Sequence, residues 1–161
     1  MADERDARRI RALIRETGTR LDLLIARLSV EEMNRPGVVG VWSVKDVLAH
    51  LAYWQRYAAD ILRAAADGST PDLVGDDATE RFNASVVKQY YQRPLSRVIA
   101  EWHAAREELI DLLEDVSDED LTDPTRFPWS GGRALLDHIA GSSYAHEQEH
   151  IQQIGEWMRS L

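Results

Sequence analysis

The sequence predicts an all-α protein, an up-down four-helix bundle with a short extra helix between the second and third long helices. Apolar residues recur at three- and four-residue spacing through four long segments, as they do on one face of an α-helix. No segment alternates apolar and polar residues in the way that a half-buried strand does. The chain has 161 residues, of which 44% are hydrophobic, so it can bury a core without a disulfide. We expect residues 1–161 to form a single domain.

The ends of the predicted helices are marked by capping and turn residues. Ser43 suits the N-cap of the second long helix, and Asp46 can complete a capping box with it. Residues 67–78 are rich in Gly, Asp and Pro and predict a loop, and Pro94 suits the first turn of the third long helix. The predicted helices cover about residues 3–28, 43–66, 79–91, 94–115 and 133–159.

Two connectors resemble each other and suggest an internal duplication. The segment from Ser29 to Pro36 is similar to the segment from Ser117 to Pro124, and each is followed by a Trp-Ser pair and a helix with an early histidine. Two copies of a helix–connector–helix unit would bury their apolar faces against each other. The alternative is convergence, because every helix start favours similar capping residues.

Composition excludes several classes of function. The chain has no cysteine, so disulfides and thiolate ligands are excluded, and a thiol could take part only if the substrate brought it. The net charge of -9 disfavours nucleic acid as a partner, and the arginines near the N-terminus alternate with acidic residues as on a solvated helix face. No apolar run approaches the ~18 residues of a membrane span, and the N-terminus does not resemble a signal peptide, so we expect a cytoplasmic protein with no membrane partner.

Histidines are the candidate site residues. His146 and His150 are four residues apart on the last helix, so both imidazoles point to one side and could bind one cation. Ser142 and Gln153 are polar neighbours on the same stripe, which is unexpected for a purely structural face. A second stripe, through Glu147 and Ile154, could instead be the main buried face, with the histidines at its edge.

His50 on the second long helix lies on an inward or half-inward face, beside Trp54 and Tyr57. Taken alone it could equally be a core histidine. His103 and His138 have no histidine partner at helical spacing on one face, and we interpret both as structural.

The string from His146 to His150 fits both H-E-x-x-H and H-x-x-E-H, the metalloprotease patterns. A protease would need a third ligand beyond this helix, and the chain offers little sequence there. We therefore expect Glu147 and Glu149 to be solvated charges, with a general-base role for Glu147 as the minor alternative. No nucleophile elbow, phosphate-binding loop or dinucleotide fingerprint is present.

The stretch from Val41 to Trp54, followed late in the chain by His146 and His150, resembles the DinB/YfiT-like superfamily of four-helix bundles. The connector Leu28–Glu32 and the helix start Trp42–Asp46 resemble most closely its ClbS/DfsB branch. The resemblance covers nearly the whole chain.

This resemblance implies a divalent metal, zinc or nickel, held by one histidine of the second long helix and two of the last, which correspond to His50, His146 and His150. It also implies a homodimer and a small-molecule substrate, because members include thiol S-transferases, an isomerase and a protein that hydrolyses a reactive cyclopropane. The expected function is metal-dependent thiol transfer or hydrolysis on a reactive small molecule. The alternative is a metal-free binding or self-protection protein of the ClbS/DfsB type.

Overall fold

The protein is all-helical in the computed structural model, which describes residues 6–161 except for the side chain of Asp76. Eight α-helices lie within these residues, together with two single-turn 3₁₀ helices at Asp76–Ala78 and Pro128–Ser130. The α-helices are α1 (Ala7–Ile25), α2 (Val30–Asn34), α3 (Val44–Asp67), α4 (Thr79–Tyr90), α5 (Leu95–Leu113), α6 (Asp118–Thr122), α7 (Leu135–Ser142) and α8 (Tyr144–Met158). The predicted extra helix between the second and third long helices is α4.

Local capping explains where the long helices begin and end. Ser43 Oγ accepts a hydrogen bond from the Asp46 amide at 3.2 Å, and the Asp46 carboxylate accepts one from the Ser43 amide at 2.9 Å, so the predicted capping box starts α3. Gly68 ends α3 with a φ of 76°, a left-handed conformation that favours glycine. Pro94 is the N-cap of α5 rather than part of its first turn.

The bundle is a ring of four long elements. The most extensive contact joins α3 to α5, α5 also contacts α1, and α1 contacts α8, while α7 and α8 close the ring against α3. The short helices α2 and α6 occupy the two similar connectors, with Ser29 and Ser117 as their N-caps. The two connectors that are similar in sequence are therefore also similar in structure, because each contains one five-residue helix capped by serine.

The last long helix differs from the prediction of one continuous element from about Arg133 to Arg159. It is interrupted at Ser143, where φ is -133° and ψ is -108°, so α7 and α8 are separate helices. The first helix ends at Ile25 rather than at residue 28, and its predicted start at residue 3 lies outside the described residues. Leu28 is nevertheless buried, because the turn that follows α1 keeps it against the core.

The core consists of two apolar clusters, one around Leu48 and Trp102 and one around Ile14 and Leu109. Each of the four long elements also contributes a polar side chain to the interior. Thr17, Gln55 and Glu147 are buried, and Arg106 is half-buried. Trp102 Nε1 donates to Glu147 Oε1 at 2.9 Å, and Thr17 Oγ1 lies 3.2 Å from Glu147 Oε2. Of the described helices, none is long and apolar enough to cross a membrane.

Candidate metal centre

Two helices meet at the candidate centre. α3 supplies His50 and α8 supplies His146 and His150, with α3 and α8 in direct contact. The four-residue spacing on α8 stacks the rings of His146 and His150, whose centroids are 4.7 Å apart. The structure thus brings together all three histidines that the sequence singled out.

The ring nitrogens of these histidines converge on one point. His146 Nε2 lies 2.8 Å from His50 Nε2 and 3.1 Å from His150 Nε2. One ligand atom from each of the three histidines lies within 4.8 Å of the others. Ligands of a tetrahedral ion with metal–nitrogen bonds of ~2.1 Å are ~3.4 Å apart, so this spacing is close to that of a coordination site.

Hydrogen bonds between the three neutral histidines cannot all be made at once. His150 Nδ1 lies 2.7 Å from Gln153 Oε1, an acceptor, so the proton of neutral His150 is on Nδ1 and its Nε2 carries a lone pair. His146 Nε2 has either one hydrogen or one lone pair, so it cannot make a good hydrogen bond to both His150 Nε2 and His50 Nε2. With the Gln153 amide reversed, two N–H groups would compete for the one lone pair of His146 Nε2. A cation between the three nitrogens removes this conflict.

Burial keeps the histidines neutral. Loss of hydration, together with the neighbouring histidines, lowers the pKa of His50 to about 2 and that of His146 to about 3. Burial also lowers the pKa of His150, while Gln153 opposes that shift. Neutral imidazole is the form that binds metals, so the three rings are in the correct protonation state at neutral pH.

Aromatic rings enclose the centre on the α3 side. The Trp42 ring centroid lies 5.0 Å from that of His50, and Trp54 lies 6.4 Å from both His50 and His146. Asn83 of α4 accepts a hydrogen bond from Trp54 Nε1 at 2.8 Å and fixes that ring. The Asn83 amide also lies close enough to His50 to favour its protonated form, yet His50 Nδ1 has no hydrogen-bond partner among the described residues.

Glu147 corrects one expectation from the sequence. It is fully buried rather than solvated, and its carboxylate contacts Trp102 of α5 and Thr17 of α1 instead of joining the histidine cluster. Burial raises the pKa of Glu147 to about 7, against the opposing effects of Trp102 and Arg106. Glu149 is exposed as expected. Because both stripes of the last helix are buried in part, the sequence pattern alone could not identify the inner one.

The other two histidines lie outside the centre. His103 Nε2 contacts Asp22 Oδ1 at 2.7 Å in a partly exposed cluster with Arg106. His138 Nε2 contacts Ser130 Oγ at 2.8 Å in the turn before α7. Asn83 was missed because it lies on a different helix, and no spacing in the sequence relates it to His50. The polar character of Gln153 on the histidine stripe was the one available signal for its role.

Comparisons with known proteins agree with the fold. The family model described as the DinB superfamily matches residues 13–154. No curated protein matches the chain.

Solved structures similar to this chain include the colibactin self-resistance protein ClbS in complex with a dsDNA, at 13% identity and a TM-score of 0.84, covering 100% of this chain and 99% of that one. Another is DfsB, described as a sibling lethal factor precursor, at 14% identity and a TM-score of 0.85, covering 96% of both chains. A third, from Streptococcus pneumoniae, has 13% identity and a TM-score of 0.84, and covers 96% of this chain and 91% of that one. At these identities the likeness shows a shared helical-bundle fold. The match of the family model over most of the chain shows that the protein belongs to the DinB superfamily.

Proposed function

We propose that this chain is a divalent-metal-dependent enzyme that acts on a reactive small molecule, by transfer of a thiol or by hydrolysis. The convergence of His50, His146 and His150 through their Nε2 atoms carries the proposal. Three neutral imidazoles without a carboxylate, two of them buried and His146 half-buried, would leave a bound ion its full charge. Imidazole ligands suit zinc and nickel, which are the metals we expect.

The donor set fits such an ion. Gln153 fixes the His150 tautomer that presents Nε2 to the centre, which is the usual role of a residue behind a metal-binding histidine. A metal bound here would supply Lewis-acid activation of a water molecule or a thiol. With no cysteine in the chain, any thiol must come from a second substrate.

The surrounding residues orient the ligands and limit solvent. Trp42 and Trp54 shield His50, which is 3% exposed, while His146 is partly exposed and marks the open side. A substrate would therefore approach from the His146 side. Asn83 holds Trp54 in place and so defines the wall that this substrate would meet.

The test is the metal content of untagged protein and of single variants. We expect about one equivalent of zinc or nickel in the wild type, and a sharp loss in His50→Ala, His146→Ala and His150→Ala. His103→Ala is the matched control and should retain the metal, because its ring contacts Asp22 outside the centre. The proposal would be contradicted if the protein bound no metal after exposure to zinc, nickel and manganese.

A second candidate function is metal-free binding and self-protection. The observation in its favour is the fold shared with a colibactin self-resistance protein and with DfsB. In that case the three histidines would be structural, and replacing any one would change stability without affecting the protective activity. Protection of cells by a His146→Ala variant as strong as that by the wild type would favour this candidate.

Partners are proposed on charge and exposure. The ClbS structure contains dsDNA, but a net charge of -9 leads us to propose that this chain does not use DNA as a partner. Fluorescence anisotropy with a labelled duplex at low salt should show no saturable binding. We also propose a homodimer, supported by exposed Leu23 on α1 beside Ile151 of α8, and light scattering would measure the mass directly.

A further inference from the structure

A small cavity borders Trp54, whose ring also lies beside those of His50 and His146. It has a volume of about 170 Å³, room for about six water molecules at ~30 Å³ each. Its lining comes from α3, the loop before α4, the start of α4, and α7. Trp54 is the shared wall, because its ring lies 6.4 Å from the His146 ring and also lines the cavity.

The walls of this cavity are fixed by hydrogen bonds. Trp54 Nε1 donates to Asn83, Tyr57 Oη accepts from the Val74 amide at 3.1 Å, and Thr79 Oγ1 donates to the Gly75 carbonyl at 3.1 Å. Such a cavity is formed before a ligand arrives, which lowers the entropy lost on binding.

Hydrogen bonding fixes the tautomer of His138, which lines the cavity. Ser130 Oγ lies 2.5 Å from the Arg133 carbonyl oxygen, and since a carbonyl has no hydrogen, the single Ser130 hydrogen is donated there. The 2.8 Å contact between Ser130 Oγ and His138 Nε2 therefore takes its hydrogen from the histidine. The Nδ1 atom of neutral His138 is left as an acceptor with no partner among the described residues.

Burial, followed by the charge of Arg133, lowers the pKa of His138, so the ring stays neutral at physiological pH. Asp137 opposes this shift, which places charges of both signs close to the ring.

Ser142 adds a second unused polar group. The residue is 6% exposed and lines the cavity, and its hydroxyl makes no hydrogen bond with the described residues. Ser142 is the last residue of α7, four residues before His146 of α8. This hydroxyl can donate to, and accept from, a ligand or a water molecule in the cavity.

The charged lining residues are of opposite sign and are not paired with each other. Arg133 forms no ion pair with any described side chain, and the Asp137 carboxylate accepts a hydrogen bond from the Ala134 amide at 3.2 Å. One cation and one carboxylate on the same small cavity are complementary to a zwitterion. A ligand with only negative charge would also be opposed by the net charge of the chain.

We propose that this cavity binds a small zwitterionic molecule of the α-amino acid class, whose side-chain hydroxyl or thiol donates a hydrogen bond to His138 Nδ1. Ser142 and the two charged residues, Arg133 and Asp137, complete the site. The inference rests on the proposed function only in placing this ligand beside a reactive centre, since occupation of the cavity itself needs no metal.

The test is an NMR titration of the full ¹⁵N-labelled chain with L-serine, lactate and ethanolamine. Serine carries the hydroxyl and both charges, whereas lactate lacks the ammonium and ethanolamine lacks the carboxylate. We expect saturable shifts in the amides of residues 133–142 with serine, and about tenfold weaker binding of the other two, as the loss of one hydrogen-bonded charge predicts. Equal binding of all three, or no saturable shifts with serine, would overturn the proposal.

Two variants of His138 separate ligand binding from structure. In His138→Asn the amide oxygen can replace Nδ1 as the acceptor, so serine binding should persist. In His138→Gln the amide nitrogen can replace Nε2 and keep the bond to Ser130, but the acceptor for the ligand is lost, so binding should weaken about tenfold. The reverse order would overturn the assigned tautomer and the proposal with it.

Ser142→Ala is the variant that tests the site should a His138 substitution fail to fold. It removes a hydroxyl that holds no other group in place, so a several-fold loss of serine affinity reports on the ligand contact, and an unchanged affinity contradicts the site. Each titration is repeated after chelator treatment. The metal content of the untreated chain is measured on the same samples. Serine binding by a chain that takes up no metal would remove the proposed function and leave this inference intact, whereas metal uptake without serine binding would do the reverse.

Discussion

Acidification from pH 7 to pH 5 should lower zinc affinity by less than about 30-fold, although three histidines form the candidate centre. Free imidazole has a pKa of about 6.5, and protons would compete strongly with a metal at pH 5. From the sequence alone, metal occupancy would be expected to fall over this range. Burial changes that expectation, because the pKa of His50 is lowered to about 2 and that of His146 to about 3.

The size of the difference follows from these values. At pH 5 a histidine with the ordinary pKa lies ~1.5 pH units below its midpoint, so protonation lowers the affinity about 30-fold for each ligand, or ~2 kcal/mol. Three such ligands would lose roughly ten-thousandfold in affinity. With His50 and His146 still neutral at pH 5, only His150 can contribute, and its pKa is also lowered. The total loss should stay below about 30-fold.

Equilibrium dialysis against buffered zinc, followed by elemental analysis at pH 7, 6 and 5, measures this effect. Folding must be followed in parallel by circular dichroism. Neutral buried histidines make the metal-free protein less stable as pH falls below 6.5, because the unfolded chain then binds more protons, by about 2 kcal/mol for each at pH 5. A thousandfold loss of affinity in protein that remains folded would refute the assignment of the histidine environments.

Three further predictions concern the buried carboxylate of Glu147, two glycines within helices, and the start of α3. Glu147→Gln should stabilise the metal-free protein by up to about 3 kcal/mol at pH 8, as measured by urea unfolding. The reason is that the folded wild type has a Glu147 pKa raised from 4.5 to about 7, so its stability falls as the pH rises through that range. A variant whose stability depends on pH in the same way as that of the wild type would contradict this. Gly18→Ala should destabilise by about 1 kcal/mol, since a Cβ would lie 2.6 Å from Arg106 Cδ, whereas Gly155→Ala, with nothing within 4 Å, should stabilise slightly. Ser43→Ala should cost about 1 kcal/mol by removing the capping box of α3, with a loss of helical signal at its start, and a neutral effect would argue against that cap.

Much of the fold follows from local sequence. The spacing of Ile10, Ile14 and Leu21 defines the buried face of α1, and Ser43 with Asp46 fixes the start of α3, because both effects act within one or two helical turns. The interruption at Ser143 was not predicted, because the apolar pattern continues across it, although Gly141 and Ser142 directly precede it. Only the contacts of α7 and α8 with different neighbours separate the two helices.

The candidate centre was likewise predictable from the sequence only in part. The sequence by itself determined that His146 and His150 share one side of a helix, because helical geometry fixes the direction of residues four apart. It could not determine that Glu147, the next residue, is buried against Trp102 and Thr17, since both stripes of the last helix were plausible inner faces. Tertiary structure alone decided that His50 meets the α8 histidines at 2.8 Å and that desolvation keeps them neutral, because distances between helices and the loss of water depend on how the whole bundle packs.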